Sequence, residues 1–318
     1  MEKRRTFLRK VGLAGLAGML PAGSLSASDM KINAIRRSEN SGAKWADGSR
    51  LVVSLSMQFE AGGQPKNAES PFPQNMQEGF IDLPGESWYQ YGYKEGIPRM
   101  LDNWDTLGVK VTSHMVGSAV LKNPDIAREI VARGHEAAAH GMDWTTQYSM
   151  TYETEKKFIK AGAEAIKTIT GFNPVGYNAN WLRRGSNTLK ILQELGFKYH
   201  IDDLSRDEPF LIKIHGKDFA VVPYTIRCND IVLIEGKNFS ADQFAHQVKM
   251  EFDQLYKESE KKRRQMSISF HDRIGGTPQM VSATKEIITY MQRHEGVSFK
   301  RKDEIAKMAY EDKSTIRE

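Results

Sequence analysis

The side chains of Glu60, His140 and His271 could together carry out general acid–base chemistry. A carboxylate can take a proton from water, and an imidazole can donate or accept one near neutral pH. Burial beside an apolar strand would raise the pKa of Glu60 towards the range that suits a base. Two structural alternatives stay open, since Glu60 could pair with an arginine of the next loop and His140 could be a hydrogen-bonded core histidine.

Other polar residues share with these three a position at the carboxyl end of a predicted strand. They are Asn180, Asp202 and Asp203. In a βα barrel these strand ends meet on one face, which holds the active site, so we expect the side chains to converge there. On the loop after Asn180, Arg183 or Arg184 could hold a carboxylate or carbonyl oxygen. We expect Asn180, Asp203 and Arg183 to contact the substrate.

The elements that position these residues are short β-rich runs that alternate with helical patterns. Such alternation predicts an α/β fold with a parallel sheet and helices outside it. A run of about 260 residues with this rhythm favours a barrel over an open sheet. The predicted strands are 51–59, 109–114, 136–140, 175–180, 198–202, 219–224 and 267–271. The predicted helices are 97–107, 125–133, 152–170, 186–195, 241–259 and 279–293.

The segment 61–95 interrupts this rhythm, because it shows neither a helical nor a strand period. It is rich in Gly, Pro, Gln, Asn and Glu, and its aromatic residues argue against plain disorder. We therefore expect a structured loop that covers the rim of the barrel or contacts another subunit, with Trp88 near the substrate and a homo-oligomer as the assembly. The aromatic residues are Phe72, Phe80, Trp88, Tyr89, Tyr91 and Tyr93.

Residues 1–27 have the pattern of a twin-arginine export signal, with Arg4-Arg5 before a short apolar run and small residues at the end. An amphipathic amino-terminal helix is the alternative. Removal of this segment lowers the formal net charge from +5 by four to +1, so the basic pI gives no reason to expect a nucleic-acid partner. We expect a periplasmic or extracellular protein with a single domain at 28–318 and no membrane span. Cys228 is the sole cysteine, which excludes an intramolecular disulfide.

Several short segments carry a family resemblance, and in order they cover nearly all of the chain after the signal. They are residues 58–63, 133–141, 186–199, 202–209, 223–230 and 267–271. With these motifs the chain resembles the polysaccharide deacetylase superfamily, and within it the branch that contains metal-independent allantoinase and a peptidoglycan deacetylase-like protein. The resemblance implies a distorted, incomplete (β/α) barrel.

The metal ligands of that family are largely missing from this chain. Metal-dependent members carry Phe-Asp-Asp-Gly, with a base followed by a ligand, where this chain has Glu60 and then Ala61. Their two ligand histidines lie four residues apart, where this chain has His140 and Trp144. A catalytic zinc normally has three protein ligands and an open position, so we expect no metal and no other cofactor. A relocated site would use Asp143, Asp202 or His271.

Residues near the missing ligand positions, and two residues further along the chain, could have structural or substrate-binding roles. His135 lies five residues before His140, and an odd separation on a strand points the two side chains to opposite faces. Trp144 could stack on a ring of the substrate or simply fill the core. Asn229 and Asp230 could bind substrate amides or shape a turn.

The resemblance implies a hydrolase of non-peptide carbon–nitrogen bonds, in which Glu60 is the base and His271 the proton donor, oriented by Asp272 or Asp202. Export favours a glycan with N-acyl groups as the substrate, whereas the lost ligands favour a small cyclic amide or imide. An alternative function is that of a carbohydrate- or ring-binding protein that keeps the barrel without catalysis. A metalloenzyme with a rearranged site is a further alternative.

Overall fold

The first strand shows how the sequence builds the sheet. In the computed structural model, which describes residues 44–65, 68, 71–72, 76–77 and 79–318, the strand Leu51–Phe59 is buried along its whole length. Alternate residues from Leu51 to Phe59 join the apolar core with the surrounding helices. Ser54, Ser56 and Gln58 belong to the other face, where the hydroxyls of Ser56 and Ser269 lie 2.9 Å apart. Glu60 continues this polar face beyond the end of the strand.

Within the described residues, nine strands form one sheet. The strands are β1 (Leu51–Phe59), β2 (Thr112–Met115), β3 (Glu136–Ala139), β4 (Gly176–Tyr177), β5 (Tyr199–His200), β6 (Phe210–Ile214), β7 (Lys217–Val221), β8 (Arg264–His271) and β9 (Val297–Phe299). Their order is β6-β7-β5-β4-β3-β2-β1-β8, and β9 pairs with the start of β1. Neighbouring strands are parallel except β6 and β7. The strands at the two ends of this order are not paired with each other, so the barrel is incomplete, as predicted.

The helices lie along the chain between these strands and cover the outer face of the sheet. They are α1 (Leu83–Tyr91), α2 (Ile97–Leu107), α3 (Gly117–Lys122), α4 (Pro124–Ala132), α5 (Tyr152–Thr170), α6 (Thr188–Glu194), α7 (Ala241–Glu258), α8 (Asp272–Gly275), α9 (Pro278–Gln292) and α10 (Lys302–Glu311). The predicted helices and strands correspond to observed elements, with boundaries that differ by a few residues. Ser240 and Gln243 form a capping box at the start of α7, and Gly171 ends α5 in a left-handed conformation.

The segment 61–95 differs from its prediction as a loop. Its second half is helical, because α1 runs to Tyr91 and a π-helix, Gly92–Gly96, joins it directly to α2. The antiparallel hairpin of β6 and β7 was also not predicted. Its turn places His215 and Gly216 at φ 46° and 77°, which suits the twist of a two-residue hairpin.

The export signal at 1–27 lies outside the described residues, so it stays a prediction. No helix in the described part of the chain is long and apolar enough to cross a membrane.

Glycines allow the π-helix to pack tightly against α8. A Cβ atom on Gly96 would lie 2.0 Å from the carbonyl oxygen of Asp272, and one on Gly276 would lie 2.2 Å from Cα of Gly96. A Cβ on Gly92 would lie 2.7 Å from the Asp272 carboxylate. This contact places α1 next to Arg273.

We therefore expect Gly96→Ala to destabilise the protein by about 1–3 kcal/mol, because the methyl group must push two backbone segments apart. Thermal or denaturant unfolding would measure the change. Gly236→Ala is a matched control, since its nearest neighbour would be an oxygen at 3.5 Å. Equal stability of the Gly96 and Gly236 variants would contradict the prediction.

Candidate active site

Glu60, His140 and His271 lie together at the carboxyl ends of β1, β3 and β8. His140 Nε2 lies 3.3 Å from Glu60 Oε1, and His271 Nε2 lies 3.9 Å from the same oxygen. All three side chains are buried and line one cavity. The geometry therefore brings a carboxylate and two imidazoles within reach of a single ligand.

Arg273 is the charged residue of this site that the sequence reading missed. Its Nη1 donates to Glu60 Oε2 at 2.9 Å, and the residue is only 1% exposed. The guanidinium carbon lies 4.9, 5.0 and 5.0 Å from the ring centres of Trp88, Tyr89 and Trp144. These three rings, Glu60 and Asp272, whose Oδ1 lies 3.5 Å from Nη1, define what we call the Arg273 cage. Nε of Arg273 has no hydrogen-bond partner among the described residues.

The pKa of Glu60 departs from the sequence-based expectation. Burial disfavours its carboxylate, as expected, but the charge of His271, the hydrogen bond from His140 and the charge of Arg273 outweigh burial. They hold the pKa of Glu60 well below its ordinary value, so the expected rise is wrong. The pair with Arg273 corresponds to the ion-pair alternative, although the arginine follows β8 rather than β1. Glu60 is therefore ionised throughout the neutral range.

Asp230 orients His271, a role that was expected of Asp272 or Asp202. His271 Nδ1 donates to Asp230 Oδ1 at 2.6 Å, and the backbone N–H of His271 donates to Oδ2 at 2.7 Å. Asp272 instead accepts from the backbone N–H groups of Glu60 and Ala61 at 2.9 and 2.7 Å. The expectation for Asp272 and Asp202 is therefore wrong, and Asp272 holds the backbone at Glu60 and Ala61.

The second imidazole is held through the neighbouring strand end. His140 Nδ1 donates to the carbonyl oxygen of Asn178 at 2.8 Å, and Asp202 accepts from the side chain of Asn178 and the backbone of Ala179. Since a carbonyl can only accept, the proton of a neutral His140 would be on Nδ1. His135 takes the opposite side, as expected, where its Nδ1 accepts from the N–H of Val111.

Not all of the predicted substrate residues reach the cavity. Trp144 and Asn180 line it, and Trp88 lies behind them in the Arg273 cage. Arg183 is exposed and does not line the cavity. Asp203 accepts from the backbone and hydroxyl of Ser205, so it stabilises a turn instead. The sequence could not show that Arg183 and Asp203 lie away from the cavity, because the direction of a loop after a strand cannot be predicted from the order of residues.

The cavity is narrow, with about 60 Å³ of space deep inside it, enough for a few water-sized groups. Its mouth includes Trp181, which is 55% exposed, and Leu182. Both have left-handed backbone conformations, at φ 55° and 59°, which cost energy in residues other than glycine and often mark functional sites. Only the reacting end of a larger substrate would enter. The other lining residues are Gln58, Asn178, Tyr224, Ile226, Asn229, Ile231 and Val232.

The side chains present do not fit the metal ion of the resembled family. Ala61 offers no ligand atom, and the ring of Trp144 faces the Arg273 guanidinium. His140 Nε2, the remaining ligand atom, faces Glu60. Among the residues that the structure describes, no three His, Cys, Asp or Glu side chains are arranged to hold a metal. Arg273, which is always positively charged, is already bound to Glu60, so a metal ion beside this carboxylate would lie next to another cation.

Comparisons with known proteins agree with this architecture. The family model described as "Polysaccharide deacetylase" matches residues 88–200. A protein of Schizosaccharomyces pombe named as a polysaccharide deacetylase is 26% identical over 82% of this chain and 91% of its own length. The peptidoglycan deacetylase of Helicobacter pylori is 26% identical over 66% of this chain and 82% of its own.

Two solved structures share the fold closely. One, from Pseudomonas aeruginosa PAO1 and named as a polysaccharide deacetylase, has a TM-score of 0.80 at 28% identity over 86% of this chain and 95% of its own. An allantoinase also has a TM-score of 0.80 at 28% identity, over 87% of this chain and 96% of its own. The predicted distorted, incomplete barrel is thereby confirmed.

Proposed function

Because the chain is similar in sequence and fold to polysaccharide deacetylases and an allantoinase, we propose that it is a carbon–nitrogen hydrolase that works without a metal ion, with Glu60 as the base and His271 as the proton donor. The observation that carries this proposal is the contact of one ionised carboxylate with two imidazoles inside a narrow cavity. Hydrolysis of an amide needs one side chain that takes a proton from water and another that gives a proton to the leaving nitrogen.

The reaction would proceed as follows. Water adds to the carbonyl carbon while Glu60 takes its proton, and the carbonyl electron pair moves onto the oxygen. His271, whose protonated form is stabilised by Asp230, then gives its proton to the nitrogen as the carbon–nitrogen bond breaks. The proton on Glu60 can return to His271, whose Nε2 is 3.9 Å away, which restores the starting state.

The cavity limits the substrate to one whose reacting end is compact. Either the acyl group of an N-acyl sugar or the edge of a cyclic amide or imide would fit, with the remainder against Trp181 at the mouth. The name of the Helicobacter relative and the predicted export signal support a periplasmic or extracellular glycan. The likeness to an allantoinase supports a small ring compound. Both substrate classes can be tested in one experiment.

The experiment measures turnover of N-acetylated glucosamine oligomers and cyclic imides by the purified protein, with and without a chelator. We expect turnover of one class, unchanged by the chelator. Loss of activity in the chelator, restored by zinc, would show that the enzyme needs a metal. A protein that binds both classes but hydrolyses neither would be the binding protein considered above, a reading that the Glu60–Arg273 ion pair favours. Light scattering of the same sample would test the homo-oligomer.

The pH profile depends on Asp230. Burial lowers the pKa of His271, but the charges of Asp230 and Glu60 outweigh it, and the pKa lies above its ordinary value. Activity should therefore fall only on the alkaline side, as His271 loses its proton. In Asp230→Asn the raising charge is gone, so we expect the alkaline fall of kcat/KM to begin at lower pH, with about a tenfold or greater loss at neutral pH. An unshifted alkaline limb would mean that His271 is not the donor.

A further inference from the structure

Resting on the proposed function, we propose that the guanidinium of Arg273 takes the place of the family's metal ion. It binds the carbonyl oxygen of the substrate as that oxygen becomes an oxyanion, and it keeps divalent cations out of the site. Among the described residues that line the cavity, Arg273 is the one with a permanent positive charge, since the other basic side chains there are imidazoles.

The position of Arg273 supports this role. It lines the cavity, bonds to the proposed base and follows the proposed proton donor by two residues. One turn of chain, 271–273, thus supplies the proton donor, the carboxylate that holds the base and a fixed cation. A charge that stabilises the oxyanion must lie close to the base and to the proton donor, because all three act on the same amide group.

The carboxylates near Arg273 lie beside Nη1, at 2.9 Å for Glu60 and 3.5 Å for Asp272, and aromatic rings form other parts of the Arg273 cage. The faces of Trp88, Tyr89 and Trp144 carry partial negative charge and attract a guanidinium, yet they accept no proton. Nη1 bonds to Glu60, while Nε has no partner among the described residues. A buried donor without a partner is costly unless a ligand completes it. An oxyanion would supply the missing acceptor.

The same cage explains why a metal ion is excluded. Glu60 and His140, which align with the family's base and first ligand histidine, already contact each other at 3.3 Å. Arginine does not lose its proton in proteins, so a divalent ion bound to Glu60 would meet a positive charge that cannot be removed. Trp144 completes the cage where the family has its second histidine.

Anion binding tests the first half of the proposal. In the Glu60→Gln background, methylphosphonate serves as a probe for the oxyanion, and calorimetry compares this protein with Glu60→Gln/Arg273→Gln. Both lack the carboxylate, so the loss of Arg273 cannot act through an unpaired Glu60. We expect binding to be about 100-fold weaker in the double variant. Adding Arg183→Gln instead is the matched control, with no change expected because Arg183 lies outside the cavity.

A change of less than threefold in the double variant would overturn the proposal. Arg273→Lys in the same background guards against a folding defect, because it keeps the charge and should retain more affinity than Arg273→Gln. Equal loss in the lysine and glutamine variants, with folding intact, would also count against a role for the charge. These binding results do not depend on turnover, so they stand apart from the test of the proposed function.

Zinc titration tests the second half. Ala61→Asp/Trp144→His restores both missing ligand positions of the family beside His140. We expect this protein to bind no stoichiometric zinc while Arg273 is present, and the same protein with Arg273→Gln to bind one equivalent. Equal zinc binding by the two proteins, whether present or absent in both, would show that Arg273 does not exclude the ion.

Discussion

Replacement of Glu60 by glutamine should lower kcat about a thousandfold on either proposed substrate class. The amide has nearly the shape of the carboxylate and keeps an oxygen for Arg273 Nη1, but it cannot take a proton from water. Ground-state binding should change little, because the site keeps its shape. Steady-state kinetics would therefore show the loss in kcat, with KM within a few-fold of the native value.

A suitable control for this result is Glu235→Gln. Glu235 is an exposed carboxylate that senses the charge of Arg273 but does not line the cavity. It should leave kcat unchanged. If Glu60→Gln kept more than a tenth of the native kcat while its thermal unfolding matched the native protein, the carboxylate would be a structural partner of Arg273 and the proposed base would be wrong.

The low pKa of Glu60 has a further consequence for the acid side of the profile. A base that is ionised far below neutrality does not lose activity through its own protonation as the solution is acidified. It is also a weaker proton acceptor than the raised carboxylate expected from burial alone. In the proposed cycle Glu60 passes its proton to His271 only after His271 has protonated the leaving nitrogen, a transfer favoured by the 3.9 Å separation and the raised pKa of His271.

The sequence was sufficient to place Glu60, His140 and His271 on one rim, because parallel strands deliver their carboxyl ends to the same face. It was not sufficient for Arg273. The alternation of strand residues ends at His271, and the direction of a side chain two positions later depends on where α8 turns. That turn is set by the close contact of Gly96 and Gly276, which are far apart in sequence.

The partner of His271 was missed for a related reason. Asp230 comes from the chain after β7, and the next residue back, Asn229, forms a bridge with Ser269 across the open side of the barrel. The contact between Asp230 and His271 therefore depends on how far the curled sheet closes, which cannot be predicted from local sequence patterns. Asp272 and Asp202 were the nearer choices along the sequence, and both prove to hold backbone or amide groups.

The segment 61–95 was misread because its composition suits loops while its contacts favour a helix. Glycines lower helix propensity, yet Gly92 and Gly96 are the residues that let the π-helix approach Asp272. Tertiary packing outweighed the local preference. The result brings Trp88 and Tyr89 over Arg273, so the aromatic residues that were expected at the rim lie beside a charge instead.

His271→Ala should separate the role of the proton donor from that of the base. A nitrogen leaving group must be protonated as its bond to carbon breaks, so we expect kcat on an amide to fall about 100- to 1,000-fold. An aryl acetate with a nitrophenolate leaving group needs no such proton. On that ester His271→Ala should lose less than about tenfold, whereas Glu60→Gln should lose its activity on both substrates, because water must be activated in each case. Equal losses of His271→Ala on amide and ester, in a protein that still binds methylphosphonate, would mean that His271 acts on the attacking water or only on the shape of the site.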